Sequence, residues 1–254
     1  MPMRKFAGLS LWVAAALLML ATPAWSAKIQ VHPDRVEIGA FFQGTEVSLE
    51  GQMPLGCEAV VEVCGAEVNE TLLRKGRRAG LWMTVGELEV QHAPNFYLVL
   101  STTPRIPELN GQDTPWGFPA LRSRLKIRGV LADQEKDHFS LEFLKLKESE
   151  GLYGNLPGAL KVRNSPEGQA VFQGVFRLPA KVPPAHYQVR LSVVKDGHIV
   201  EQKSGTMEVR LAGFPALLTA LAYEHGALYG IMAVAIAIAT GFLMGFLFKG
   251  KAGH

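Results

Sequence analysis

From Ala227 to Phe248 the chain reads ALYGIMAVAIAIATGFLMGFLF, 22 residues without a charged side chain. A helix of that length rises about 33 Å, enough to cross the hydrocarbon core of a bilayer. Lys249 and Lys251 follow at once, whereas Glu224 and His225 precede the segment. The positive-inside tendency then places the short tail in the cytoplasm and the bulk of the chain outside. Tyr223 and Tyr229 fall where an aromatic belt would lie at the outer interface. One C-terminal transmembrane helix is therefore the first expectation, with its lipid-facing surface as the first implied partner.

The N-terminus carries a second apolar run. Arg4 and Lys5 precede Leu9 to Ala21, and Ala24-Trp25-Ser26 supplies small residues at the −3 and −1 positions. That order is the pattern of a secretory signal cleaved after Ser26. The run is too short to cross, because a span needs about 20 residues. All 23 acidic residues and 22 of the 26 basic ones lie between Ala27 and His225, a net charge of −1 over that stretch. Such a balance leaves no electrostatic footprint for nucleic acid. Cys57 and Cys64 stand seven apart across the β-branched stretch EAVVEV. On a strand they face opposite sides at about 23 Å, which argues against a disulfide.

Between the two ends the dominant signal is alternation with period two. Arg35 to Phe42, Thr45 to Glu50, Glu58 to Cys64, Leu81 to Val85, Leu88 to Val90 and Phe96 to Leu100 all read as half-buried strands. Their spacing is that of a small antiparallel sandwich of the immunoglobulin-like kind. Prolines at 104, 107, 115 and 119 then mark an irregular connection. A charged stretch to Glu150 reads as helix, with Phe139, Phe143 and Leu146 on one face, Glu142 paired to Lys145, and Gly151 as the C-terminal cap. Phe139, Leu141 and Phe143 also alternate, so a strand stays open there. Gln169 to Leu178, Tyr187 to Val193 and Thr206 to Leu211 restore the β pattern, and Lys195-Asp196-Gly197-His198 supplies a tight hairpin turn. Phe214 to Tyr223 forms a short apolar approach to the membrane.

The expected organisation is a signal peptide at 1–26, a β-sandwich domain at 27–104 and an irregular and helical connection at 105–155. A second β-region at 156–212, a juxtamembrane segment at 213–225, the transmembrane helix at 226–248 and a cytoplasmic tail at 249–254 follow. The fold class expected is thus mainly β with a helical insert and one C-terminal transmembrane helix.

Chemistry-bearing patterns are sparse. The seven histidines are scattered singly, and HExxH, CxxC and GxSxG patterns are absent. No catalytic residue, metal ligand or cofactor is expected, and the chain reads as a non-enzyme. Arg74, Lys75, Arg77 and Arg78 form the densest basic cluster, a candidate anion-binding site or the solvated turn of a hairpin. Arg122, Arg124, Lys126 and Arg128 recur at every second position and would form one basic stripe on a strand but scatter on a helix. Within the membrane segment Ala233, Ala237, Gly241 and Gly245 repeat at every fourth position and end in GxxxG, a ridge on which another helix can pack.

Five stretches taken together carry a family resemblance: RKGRRAGLWM (Arg74 to Met83), PNFYLVLST (Pro94 to Thr102), FLKLKESEGLY (Phe143 to Tyr153), FRLPAKVPPAHYQV (Phe176 to Val189) and LYGIMAV (Leu228 to Val234). The chain resembles a family of transmembrane proteins first defined in alphaproteobacteria, over nearly the whole mature length. Ala185-His186, where a Gly is expected before the strand, and the two cysteines depart from it. The resemblance implies a bacterial inner-membrane protein with its bulk in the periplasm. It transfers no activity, and it implies an accessory subunit of a membrane assembly such as a permease of the sulfite-exporter type. Association with another membrane protein, or self-association through the helix, is the expected partnership. The competing expectation is a periplasmic binding module for a small anion or envelope component, using Trp82, Trp116 and the basic cluster.

Overall fold

Period-two alternation does give strands, and the computed structural model describes them for residues 27–249 apart from 108, 111–113, 130–132 and 167. The expected leader and the tail beyond Lys249 lie outside the described residues. In chain order the strands are β1 (Lys28–His32), β2 (Arg35–Ile38), β3 (Thr45–Pro54), β4 (Glu58–Cys64), β5 (Glu67–Arg78), β6 (Leu81–Pro94) and β7 (Tyr97–Ser101). A helix α1 (Gly117–Arg124), a short strand β8 (Lys126–Arg128) and a longer helix α2 (Asp133–Ser149) follow. Then come β9 (Tyr153–Leu156), β10 (Lys161–Asn164), β11 (Gln169–Leu178), β12 (Ala185–Lys195) and β13 (His198–Leu211), and finally helices α3 (Phe214–Glu224) and α4 (Gly226–Lys249).

These strands form three sheets, ordered β1-β3-β11-β10, β2-β13-β12-β4-β7-β9 and β5-β6-β8. Pairing is antiparallel except for β13 with β2 and β7 with β9. The two β-rich stretches of the sequence share both large sheets, since β3 pairs with β11 and β4 with β12. The reason lies in which faces are apolar. Val61 and Val63 of β4 stand level with Leu191 and Val189 of β12 and with Leu100 and Leu98 of β7. Val47 and Leu49 of β3 and Phe172 and Phe176 of β11 belong to the same buried cluster. Each such side chain removed from water contributes about 1.5–3 kcal/mol, so the two large sheets are held by one shared core.

The other face of β4 is polar and buried as well. Glu62 is 2% exposed, and its carboxylate receives Arg124 at 3.4 Å and Arg190 at 3.0 Å. Arg124 comes from the end of α1, so the ion pair holds that helix to the sheet. At the start of α1 the Gly117 amide donates to the Tyr97 phenol oxygen at 2.9 Å, satisfying one of the helix's unpaired amides. Phe143 of α2 meets the Tyr153 ring edge-on at 6.2 Å, and Tyr153 meets Tyr97 in the same way at 6.1 Å. Both helices therefore cover the polar face of the six-stranded sheet.

Helix, not strand, is the outcome for the charged stretch, with the expected Lys145–Glu142 pair at 2.9 Å. Gly151 takes φ 72°, the left-handed conformation of a C-terminal cap. The buried face is shifted, however, to Ser140, Phe143, Leu144 and Lys147, while Leu146 is exposed. The reason is Lys147, whose ammonium lies 2.6 Å from Glu70 of β5 and thereby occupies a position that periodicity assigns to a polar surface. The Lys195–His198 turn forms as expected, with Asp196 and Gly197 at φ 51° and 74°. The strand expected over Arg35 to Phe42 stops at Ile38, where a turn bonds the Phe42 amide to the Gly39 carbonyl at 3.2 Å. The expected basic stripe is split between α1 and β8, and Arg122 turns to Asp137 at 3.1 Å.

Two substitutions test this packing. Gly51 of β3 lies opposite Phe172, and a Cβ there would come within 2.1 Å of the ring and 2.5 Å of the Lys28 carbonyl. Gly51→Val should cost about 1–3 kcal/mol, read as a lower denaturation midpoint of the soluble domain. Replacing Arg124 and Arg190 together by Ala strands the Glu62 charge and should cost about 3 kcal/mol, the low end for a buried pair because both arginines are half in water. Adding Glu62→Gln to that double variant should recover part of the loss.

Candidate functional site

β5 and β6 form a long hairpin that continues the register of β4 and β7 across a short junction at Gly65-Ala66 and Asn95-Phe96. Cys64 pairs with Tyr97 and Glu67 with Pro94. Between them the Gly65 amide donates to the Phe96 carbonyl and the Asn95 amide to the Ala66 carbonyl, both at 2.9 Å. β8 pairs with Glu89, Val90 and Gln91, and among the described residues β6 from Leu81 to Leu88 has β5 as its one sheet neighbour. At about 3.3 Å per residue this leaves an arm of some 25 Å standing off the sheets. Ala79 (φ 48°) and Gly80 (φ 81°) close it in the left-handed pair of conformations that a tight hairpin turn needs.

All four cations of the basic cluster lie on this arm, and it is the hairpin that the sequence left open. Arg74 reaches Glu135 of α2 at 3.5 Å. Lys75 donates to the Thr84 hydroxyl at 2.8 Å, and Arg77 to the Gly80 carbonyl at 3.3 Å. Arg77 stands opposite Trp82 and Arg78 opposite Leu81, so alternation puts a cation and an apolar side chain on each face of the tip. Trp82 is 75% exposed, whereas Trp116 is 3% exposed and belongs to the core cluster. The two tryptophans thus do not line a common surface.

At the base of the arm a groove of about 370 Å³ separates the hairpin from α2, lined by Leu72, Leu73, Leu88 and Phe139 with Arg74 and Glu135 at its rim. Lys147 bridges Glu70 of β5 and Glu150, 2.6 and 3.8 Å away, and lies 5.5 Å from the Phe143 ring centre, tying α2 to the arm. Among the described residues no group of three or more His, Cys, Asp or Glu could hold a metal ion.

The ridge residues sit on α4. A Cβ built on Gly241 or Gly245 would meet nothing within 4 Å. The hollow they leave is lined by Ile238, Phe242 and Phe246. Every fourth residue on a helix traces a gently inclined row, so Ala233, Ala237, Gly241 and Gly245 form one shallow groove along it. None of α4 is buried against the rest of the chain.

Cys57 and Cys64 are free thiols, Cys64 at the end of β4 and Cys57 just before its start. Burial pushes the Cys64 thiol up to about 11 from its ordinary 9.0, with the Glu62 carboxylate adding to the shift. Burial likewise raises the Tyr97, Tyr153 and Tyr187 phenols above their ordinary range. In each case the fold favours the protonated form. The stability this contributes is full below pH 9 and is lost as pH rises through the folded values. For Cys64 the loss amounts to roughly 2–3 kcal/mol. Alkaline denaturation should therefore begin above pH 9, with tyrosine ionisation at 295 nm rising in step with loss of the β-sheet signal. Cys64→Ala should reduce the dependence between pH 9 and 11.

α4 is the one helix, among the described residues, long and apolar enough to cross a membrane. No curated protein matches the chain. Residues 27–250, from the first strand of the β-rich domain through the membrane-spanning helix, match the family described as "Putative transmembrane protein (Alph_Pro_TM)". A soluble β-rich body carried on a single apolar span is what that match joins in one unit, and the chain belongs to this family of membrane proteins.

Proposed function

We propose that the protein is a non-enzymatic accessory subunit of an inner-membrane assembly, docked through α4 and presenting its β-rich domain in the periplasm. The observation that carries this reading is the open hollow at Gly241 and Gly245, between Ile238, Phe242 and Phe246, where the backbone is left uncovered. In lipid there is no hydrophobic gain from packing helices, so close backbone approach at small residues is what makes association favourable. Lys249 and Lys251 after the span support a cytoplasmic C-terminus. Two large sheets sharing one aliphatic core support a sandwich of the immunoglobulin-like kind for the ectodomain. The partner class is a multispan permease, of the sulfite-exporter type that the family resemblance implies, or a second copy of the chain.

The second reading is a periplasmic binding module. The groove between the arm and α2 favours an apolar segment of an envelope component, because leucines and Phe139 line it. A small anion would instead draw on Arg74, Lys75, Arg77 and Arg78.

Crosslinking in native membranes tests the first reading. Gly241→Ile with Gly245→Ile fills the hollow and should abolish a crosslinked adduct formed by the unsubstituted chain, while leaving membrane insertion intact. An adduct that persists at the same yield rules out this face as the contact.

A further inference from the structure

The arm and the membrane span leave the six-stranded sheet from the same end. β4 and β13 are both antiparallel to β12, so they run parallel to one another. β13 leads out through Leu211 into α3 and α4, and β4 leads out through Cys64 into β5. Hydrogen bonds at Gly65–Phe96 and Asn95–Ala66 keep the register from Cys64 and Tyr97 to Glu67 and Pro94, so the arm starts where β4 ends.

Their reaches agree too. Gln188 pairs with both Cys64 and Thr206, which sets these two residues at one level in the sheet. From Cys64 the arm extends 14 residues to Arg78, at most about 46 Å. From Thr206 the rest of β13, the link at Ala212 and Gly213 and the 11 residues of α3 extend at most about 40 Å before α4 begins. The two bounds are of similar size, so the arm is long enough for its tip to reach the depth at which the span enters the bilayer.

The chemistry of the tip fits what it would meet there. Between Arg74 and Gly86 the chain has four cations and no acid. Arg74 is paired to Glu135, and among the described residues no carboxylate is paired with Lys75, Arg77 or Arg78. Leu81, Trp82 and Met83 are all exposed, on a two-stranded ribbon that water alone would stabilise poorly. A tryptophan and a leucine among basic residues is the composition that seats at a headgroup boundary, apolar side chains in the acyl region and cations on anionic lipid.

We infer that the tip of the β5–β6 hairpin is a second membrane contact, in which Leu81, Trp82 and Met83 enter the outer boundary of the bilayer that α4 crosses and Lys75, Arg77 and Arg78 engage anionic headgroups. The domain is then held at two points, which fixes its tilt and rotation over the membrane. This contact does not depend on what packs against Gly241 and Gly245.

The experiment uses the full chain in nanodiscs of phosphatidylcholine and phosphatidylglycerol at about 3:1, with and without brominated acyl chains. The difference in emission between the unsubstituted chain and Trp82→Phe isolates Trp82, which is exposed and so replaceable without loss of the fold. The expected result is at least about twofold quenching of that difference by brominated lipid, with protection from aqueous acrylamide. Arg77→Glu with Arg78→Glu should reverse both. A Trp82 signal quenched by acrylamide and not by bromine overturns the contact, as does one shielded from both, which would mean that protein covers the tip. Bromine quenching that survives the double substitution overturns the engagement of anionic lipid.

Discussion

Glu62 is the constraint around which the soluble domain is organised. It sits at the middle of β4, the strand flanked by β12 and β7, and its side chain points away from the aliphatic core onto a face that is nonetheless closed to water. A carboxylate there must be neutralised, and the two arginines that do so come from β12 beside it and from α1 across the chain. One ion pair therefore lies within the sheet and the other fixes the helical insert onto it. The Tyr97, Tyr153 and Phe143 rings complete the cover beyond. Without the insert this face would be a polar sheet surface in water. With it, the central strands β4 and β7 are buried on both faces.

The same central strand sets where the molecule can act. Because β5 and β6 carry the pairing of β4 and β7 on past the end of the six-stranded sheet, the chain leaves it as a ribbon, and that ribbon carries, among the described residues, a concentrated basic and apolar surface of the β-rich domain. Lys147 and Arg74 anchor its base to α2 through Glu70 and Glu135. Its tip has no such support. Elsewhere in the domain Arg35 pairs with Glu208 at 2.8 Å.

Much of the candidate surface was legible in one dimension. The ridge from Ala233 to Gly245 and the cluster from Arg74 to Arg78 are spacing patterns, and the structure places each on one element. What periodicity missed was β5 itself. EVNETLLRKGRR shows little apolar alternation because the strand is not backed by a core, so the signal on which a strand is recognised is absent. β1, β9 and β10 are four or five residues long and escaped for want of length. Leu81 to Val85 and Leu88 to Val90 read as two strands, since Gly86 and Glu87 interrupt the pattern, yet they form one because pairing with β5 continues across a bulge.

By itself the sequence determined the apolar span, the β character and the tight turn at Asp196-Gly197. These are local properties, fixed by side-chain chemistry, φ preference and distance along the chain. Tertiary structure alone decided that β3 joins β11, that Lys147 is buried where a helical wheel exposes it, and that the basic hairpin leaves the six-stranded sheet at the same end as the membrane helix. Each of those depends on groups far apart in the chain, on Glu70 for Lys147 and on β12 for the common direction of β4 and β13, and no pattern within a single segment encodes them.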